Sequence, residues 1–238
     1  MKKIILSAII AIGAGAVCFA ASPKVKYGVN ATNITSIESS AAVKVVYTPS
    51  GSTSVTVTTP KELQEYLSVK VSGDKLKIGR KDSVKSSIKS LSDVTVTVHA
   101  PAVTDFEATT SSVITVTAPL KATGSEVEIE VSTAGSVTVP GITCSGIEID
   151  ASTAGTVNIS GNTSAGFISA EASTGSSVKV GGISGGKVKA ESSTGASITL
   201  SGNADKADLS ASTGGSVQAS GLKAKSISRS SSSGGSIH

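Results

Sequence analysis

The sequence predicts an all-β fold: a single-stranded right-handed parallel β-helix (β-solenoid) with coils of about twenty residues and a β-rich N-terminal cap. Three observations carry this. A Ser-Thr-Gly or Ser-Thr-Ala-Gly landmark begins at Ser132, Ser152, Ser173, Ser193 and Ser212, and returns as Ser-Ser-Gly at Ser232; the spacings are 20, 21, 20, 19 and 20 residues. Apolar residues fall at odd offsets from that serine, coil after coil. Aromatic residues make up 3% of the chain and Trp is absent, which excludes a bulky globular core. Low aromatic content also accompanies disorder, but the β-branched residues here alternate too strictly for a disordered chain.

The first element is an export signal. Lys2 and Lys3 precede an apolar run from Ile4 to Val17, and the small residues Cys18, Ala20 and Ala21 follow. Charge, apolar run and small residues in that order read as a signal peptide over 1–20, cleaved after Ala20. The run is shorter than the ~20 residues of a bilayer span. The rival reading is a lipoprotein anchored through Cys18, against which Val17 stands where Gly, Ala or Ser is usual. Loss of the signal leaves 21 − 2 = 19 bases against 17 acids. That balance, with no run of like charges, argues against a nucleic-acid or membrane-surface binder. Cys144 is then the one remaining cysteine, so no internal disulfide is expected.

The mature chain divides at about residue 105. Residues 21–105 are β-rich but irregular, with alternating runs at Val43–Tyr47, Val55–Val57, Leu67–Val71, Leu76–Ile78 and Val94–Val98. Ser72-Gly73-Asp74 fits a tight hairpin between two of these. Pro60–Leu67 is the one segment with helical character, about two turns with proline at its start. Tyr27, Tyr47 and Tyr66 lie in this part and suit a broader layer that caps the first coil. Lys77 to Lys89 reads as a polar, basic, exposed loop.

Residues 106–238 are the repetitive coils. Five residues after the landmark serine come Val137, Val157, Val178, Ile198, Val217 and Ile237; five before it come Val127, Ile147, Ile168, Val188, Ala207 and Ile227. A period of two with one apolar face is strand geometry, so each coil lays like side chains over like. Two strands per coil flank the landmark. Glycine pairs such as Pro140-Gly141, Ser160-Gly161, Gly181-Gly182 and Ser201-Gly202 close the turn, where glycine reaches positive φ freely. The Ser-Thr-Gly segment itself reads as a structural corner, with Thr133, Thr153, Thr174, Thr194 and Thr213 stacked as a hydroxyl ladder.

Val45-Val-Tyr-Thr-Pro49, Val55–Pro60, Leu76-Lys-Ile-Gly79, Val96–Pro101, Asp105-Phe106 and the recurrent Ser-x-x-Gly-x-Val turns resemble the family known as the "putative auto-transporter adhesin head domain", or GIN domain. The resemblance spans about residues 30 to 235. It implies a secreted β-helical domain of Bacteroidetes-like bacteria and brings no catalytic residues. A true autotransporter ends in a barrel of membrane strands ~10 residues long, whereas this sequence runs to His238 inside a Ser-rich repeat. The adhesin label is therefore expected to describe a fold rather than a secretion route.

Enzymatic β-helices need paired carboxylates, or a base beside metal-binding acids, in a groove. Glu128, Glu130, Glu148 and Asp150 are in register on consecutive coils, and they read as solvated outer charges, with Lys121 nearby. His99 and His238 have no partnered nucleophile motif, and no Cys/His cluster suits a metal. No catalytic, cofactor or metal site is expected. After Phe106 the repeats offer a sugar platform Phe167 alone among aromatics, and Asp82-Ser83-Val84 resembles an O-glycosylation acceptor centred on Ser83. The expected function is an exported non-enzymatic surface or periplasmic interaction module with a protein or glycan partner. The alternative is a carbohydrate-binding or carbohydrate-active β-helix. N-terminal sequencing of the secreted protein should find a start at or beside Ala21; a cytoplasmic product retaining Met1 would refute the export signal.

Overall fold

The computed structural model describes residues 23–83 and 90–238. The proposed signal segment 1–20 and Val84 lie outside the described residues. The chain contributes β1 (Lys24–Val29), β2 (Ser36–Ser39), β3 (Lys44–Pro49), β4 (Ser54–Pro60), β5 (Leu67–Ser72), β6 (Lys75–Arg80) and β7 (Thr95–Ala100). The coils follow as β8 (Asp105–Ala108), β9 (Val113–Val116), β10 (Leu120–Val131), β11 (Ser136–Val139), β12 (Ile142–Ala151), β13 (Thr156–Ile159) and β14 (Thr163–Ser164). They end with β15 (Phe167–Ala172), β16 (Ser177–Ser184), β17 (Lys187–Ser192), β18 (Ser197–Ala211), β19 (Ser216–Ser231) and β20 (Ser236–Ile237). No helix among the described residues is long and apolar enough to cross a membrane.

The result is a β-solenoid, and its register follows the apolar columns. Val137 pairs with Val157, Val157 with Val178, Val178 with Ile198, Ile198 with Val217, and Val217 with Ile237, all in parallel strands. On the strand before the corner, Val127, Ile147, Ile168, Val188, Ala207 and Ile227 pair in the same way. From Val127 to Ala207 and from Val137 to Val217 these side chains are buried. A third side completes each coil, which the two-strand expectation missed. Leu120 stacks on Ile142, Ile142 on Thr163, and Thr163 on Ile183. The polar member of that column is satisfied, since Thr163 Oγ1 donates to the Gly181 carbonyl at 2.8 Å.

The corner is a type I′-like turn of two successive left-handed residues, the first of them not glycine. Thr133 and Ala134 have φ of 48° and 61°, and Thr153 and Ala154 have 45° and 61°. Thr174, Thr194, Thr213 and Ser233 take the first left-handed place in later coils, and glycine takes the second. Each turn closes with a bond such as Gly135 N–H to the Ser132 carbonyl at 2.8 Å. The Thr side chains at these corners are exposed. The glycines on the opposite bend serve two needs. Gly182 has φ of 58°, whereas Gly161 is required by close approach, because a Cβ there would lie 2.0 Å from the Pro140 carbonyl oxygen.

The N-terminal strands form the cap, in an order that differs from chain order. β2 pairs with β8 on one side and β6 on the other, and β3 lies likewise between β9 and β7. β5 then adds antiparallel to β6, β4 to β7, and β1 to β4. Gly73 and Asp74 make the two-residue loop of the β5–β6 hairpin, as expected. Tyr47 and Phe106 fill the wider core here, with ring centroids 5.9 Å apart. The Tyr47 hydroxyl donates to the Ala100 carbonyl and accepts from the Val103 N–H, so its burial leaves no polar atom unpaired. Tyr27 and Tyr66 are half-buried at the end of the column.

Two local expectations change. Pro60–Leu67 holds a single 3₁₀ turn, Lys61–Leu63, because Pro60 closes β4 and Leu67 opens β5. What remains is too short to sustain an isolated helix. The loop expected from Lys77 starts later, since Lys77 to Arg80 belong to β6 and Lys77 pairs with Glu38 at 2.7 Å.

Val157 is 1% exposed, whereas Asn158 on the opposite face of the same strand is half-buried, its Oδ1 shielded and unpaired, in register between Thr138 and Lys179. Val157→Asp should lower the thermal midpoint severely, because an unpaired charge enters an apolar column. Asn158→Asp should be tolerated. Equal tolerance of the two in a melting experiment would contradict this register.

Candidate functional site

In-register stacking places outward residues in columns as strictly as inward ones. Two residues before the corner serine, Glu130 lies over Asp150, Asp150 over Glu171, and Glu171 over Glu191. The column extends the other way through Glu107 to Glu38, so carboxylates follow one another across six consecutive strands. A second column beside it runs Asp105, Glu128, Glu148. The four acids expected to be neighbours are thus brought together. Glu38, Glu107, Glu171 and Glu191 extend their column beyond those four.

Bases stand at the two ends of this acidic face. Lys77 and Lys75 approach Glu38 at 2.7 and 4.0 Å, and Lys75 reaches Asp105 at 3.8 Å. At the other end Lys189 bridges Glu171 and Glu191 at 3.4 and 3.0 Å, and Lys206 meets Asp208 at 2.7 Å. Between them Glu107, Glu128, Glu130, Glu148 and Asp150 take part in no ion pair among the described residues. Lys121 lies on the third side of the coil, paired in register with Thr143, and relieves none of them. Partial burial, then repulsion from Asp105, Glu130 and Glu148, pushes the Glu128 carboxyl above its ordinary value. Burial raises Asp150 too, helped by Glu171 and Glu148, and it raises Glu107, with Glu38 the next cause.

A groove of about 470 Å³ runs along this face. One wall is the carboxylate column from Glu107 to Glu191, and the other is a hydroxyl column of Thr109, Ser132, Ser152, Ser173, Ser193 and Ser212. Each coil from the one of Glu107 to the one of Glu191 adds one carboxylate and one hydroxyl, outward positions two residues apart, and the next coil places Ser210 where the carboxylate stood. Such a surface accepts hydrogen bonds and attracts positive charge, in units repeated at the ~4.8 Å strand separation. Phe167 is 37% exposed, and a Cβ on Gly146 of the preceding coil would strike its ring, so the aromatic lies flat over that glycine. Ser83 is exposed in a turn. Cys144 is half-buried with its thiol donating to the Gly146 carbonyl at 3.1 Å, and burial raises its pKa.

The raised carboxyls give the fold a pH signature. A carboxyl whose folded pKa exceeds its unfolded value contributes stability at low pH and loses it as pH rises through the folded value. The contribution of Glu107, Glu128 and Asp150 should therefore be present below about pH 4, the ordinary carboxylate value, and fade above it. Compared with the parent, Glu128→Gln with Asp150→Asn should melt at higher temperature at neutral pH and converge with it in acid. A constant difference across pH, in melts at low salt, would exclude repulsion as the cause.

A family model described as "putative auto-transporter adhesin, head GIN domain" matches residues 33–182 and 163–238. Solved structures share the fold. A "putative adhesin" from Bacteroides fragilis gives a TM-score of 0.75 at 16% identity, covering 91% of this chain and 97% of that one. Another from Parabacteroides merdae gives 0.64 at 14% identity, with 90% and 95% covered. A "putative lipid binding protein" from Parabacteroides distasonis gives 0.62 at 15%, again with 90% and 95% covered. No curated protein matches the sequence. Since the family match takes in the cap strands from β2 onward as well as the coils, this chain belongs to the "putative auto-transporter adhesin, head GIN domain" family.

Proposed function

We propose that the protein is an exported, non-enzymatic interaction module of the cell envelope, and that the carboxylate–hydroxyl groove is its contact surface. The observation that supports this is translational repetition. The same two groups recur coil after coil from Glu107 and Thr109 to Glu191 and Ser193. Catalysis needs one constellation unlike its surroundings, held in a single geometry. A repeated, open surface suits an extended partner that gains affinity from many weak, equivalent contacts.

A second reading, carbohydrate binding, is favoured by the same walls together with Phe167. Carboxylates and serine hydroxyls hydrogen-bond sugar hydroxyls, and an exposed ring resting on Gly146 offers a stacking surface.

Glu148→Ala combined with Asp150→Ala tests the site. Both side chains are outward, so the fold should keep its stability to within ~0.5 kcal/mol per site. Attachment of the purified protein to intact cells, and its binding on a glycan array, should fall by about tenfold or more, a loss of ~1.4 kcal/mol. Unchanged attachment would remove the groove from the proposal. Release of reducing ends from a polysaccharide by the parent, lost in the variant, would replace the binding module with an enzyme.

A further inference from the structure

The two ends of the column finish differently. At the last coil the inward positions are mixed: Arg229 pairs in register with Leu209 and Ser231 with Ala211, whereas Ile227 and Ile237 stay apolar. At the cap end they stay apolar. Val25, Tyr27 and Val29 on β1 continue the inward face of Val55, Val57 and Thr59 on β4, yet they are only half-buried. Val69 and Val71 on β5 are in the same condition. A hollow of about 920 Å³ lined in part by Tyr27, Leu67 and Val69 lies between the two strands. Among the described residues β1 pairs with β4 along one edge and with nothing along the other.

The β1 edge is self-complementary. Antiparallel strands related by a two-fold axis through the sheet must pair outward residues with outward ones. Centred on Lys26, two copies would set Lys26 against Lys26, like charges directly opposite, which destabilises the pair. Centred on Tyr27, Tyr27 meets Tyr27, Val25 meets Val29, and Lys26 falls opposite Gly28 with Lys24 opposite Asn30. No like charges then face each other, and every half-buried apolar residue of β1 finds an apolar partner.

We propose that this end is an interface with a second copy of the chain, formed by antiparallel β1–β1 pairing centred on Tyr27. The lysines exclude the registers centred on Val25 and Lys26, where lysine meets lysine, and of those left the one centred on Tyr27 pairs the most of β1, from Val25 through Val29. This inference stands apart from the proposed groove function, because the interface residues lie outside the groove.

Light scattering during size-exclusion chromatography of the mature protein should give about twice the mass of one mature chain, itself below the 23.4 kDa of the full sequence. Gly28 is exposed, and the nearest atom to an added Cβ is 3.8 Å away, so Gly28→Lys leaves the monomer intact. The substitution places a second ammonium directly opposite Lys26 of the other copy, at two symmetric places, and should weaken the dimer about tenfold. Gly28→Glu sets opposite charges there and should tighten it, and Lys26→Glu in the Gly28→Lys background should restore it. A monomeric parent at every concentration would overturn the proposal, as would a Gly28→Lys variant that dimerises as well as Gly28→Glu.

Discussion

The coil-to-coil backbone ladder does not stop at the corners, and the remaining features of the molecule depend on that continuity. The Ala134 N–H donates to the Thr153 carbonyl at 2.9 Å, Ala154 to Thr174 at 3.0 Å, and Gly175 to Thr194 at 3.1 Å. These bonds require two successive left-handed residues, and the first is a β-branched threonine, for which that conformation costs about 1–2 kcal/mol. The cost is offset because the Ser132, Ala134, Gly135 and Ser136 N–H groups of the bend all reach backbone carbonyls. Small residues fill the inside of the same bend. A Cβ on Gly135 would meet the Ala108 carbonyl oxygen at 1.9 Å, and where Ser176 stands instead its hydroxyl donates to the Ala151 carbonyl at 2.9 Å.

Continuity of the ladder fixes the register, and the register acts on both faces alike. Inside, it stacks valine on valine and isoleucine on isoleucine. Outside, it stacks carboxylate on carboxylate, an arrangement that burial and mutual repulsion make unfavourable at Glu107, Glu128 and Asp150. Lysines neutralise the ends of the face and leave its middle unpaired. Repulsion retained at one place in an otherwise well-packed scaffold fits a surface kept for contact rather than for stability.

The columns flanking the landmark were legible because one apolar residue every second position, repeated at twenty, has a single structural reading. The third side was not legible. Its column mixes Leu120 and Ile142 with Thr163, and its register with the neighbouring strands shifts at irregularities such as that between Val180 and Ile183. The corner was recognised but its conformation was not, since a β-branched residue such as threonine is not expected at positive φ. Four acids of the site were in view; Glu171 and Glu191 stand at the same offset from their corner serines and were legible in the same way, whereas Glu38 and Glu107 were not, because they are 69 residues apart in sequence and adjacent only through the cap. The short Pro60–Leu67 segment misled through local propensity, which the strands on either side override.

The place of β2 and β3 sets the order in which the molecule can be made. They form the earliest coil in the chain, yet the strands on either side of it, β6 with β7 and β8 with β9, are all synthesised later. A chain emerging from its N-terminus therefore holds a coil that gains its first neighbours only by Ala100 and its second only by Val116, and loops of many residues must close together. From there on each new coil finds a finished template and adds by nearest-neighbour contact alone. Assembly thus divides into one slow, all-or-none closure of the first half and a rapid zipping of the second. The zipped half is the part whose length evolution is free to adjust, one coil at a time.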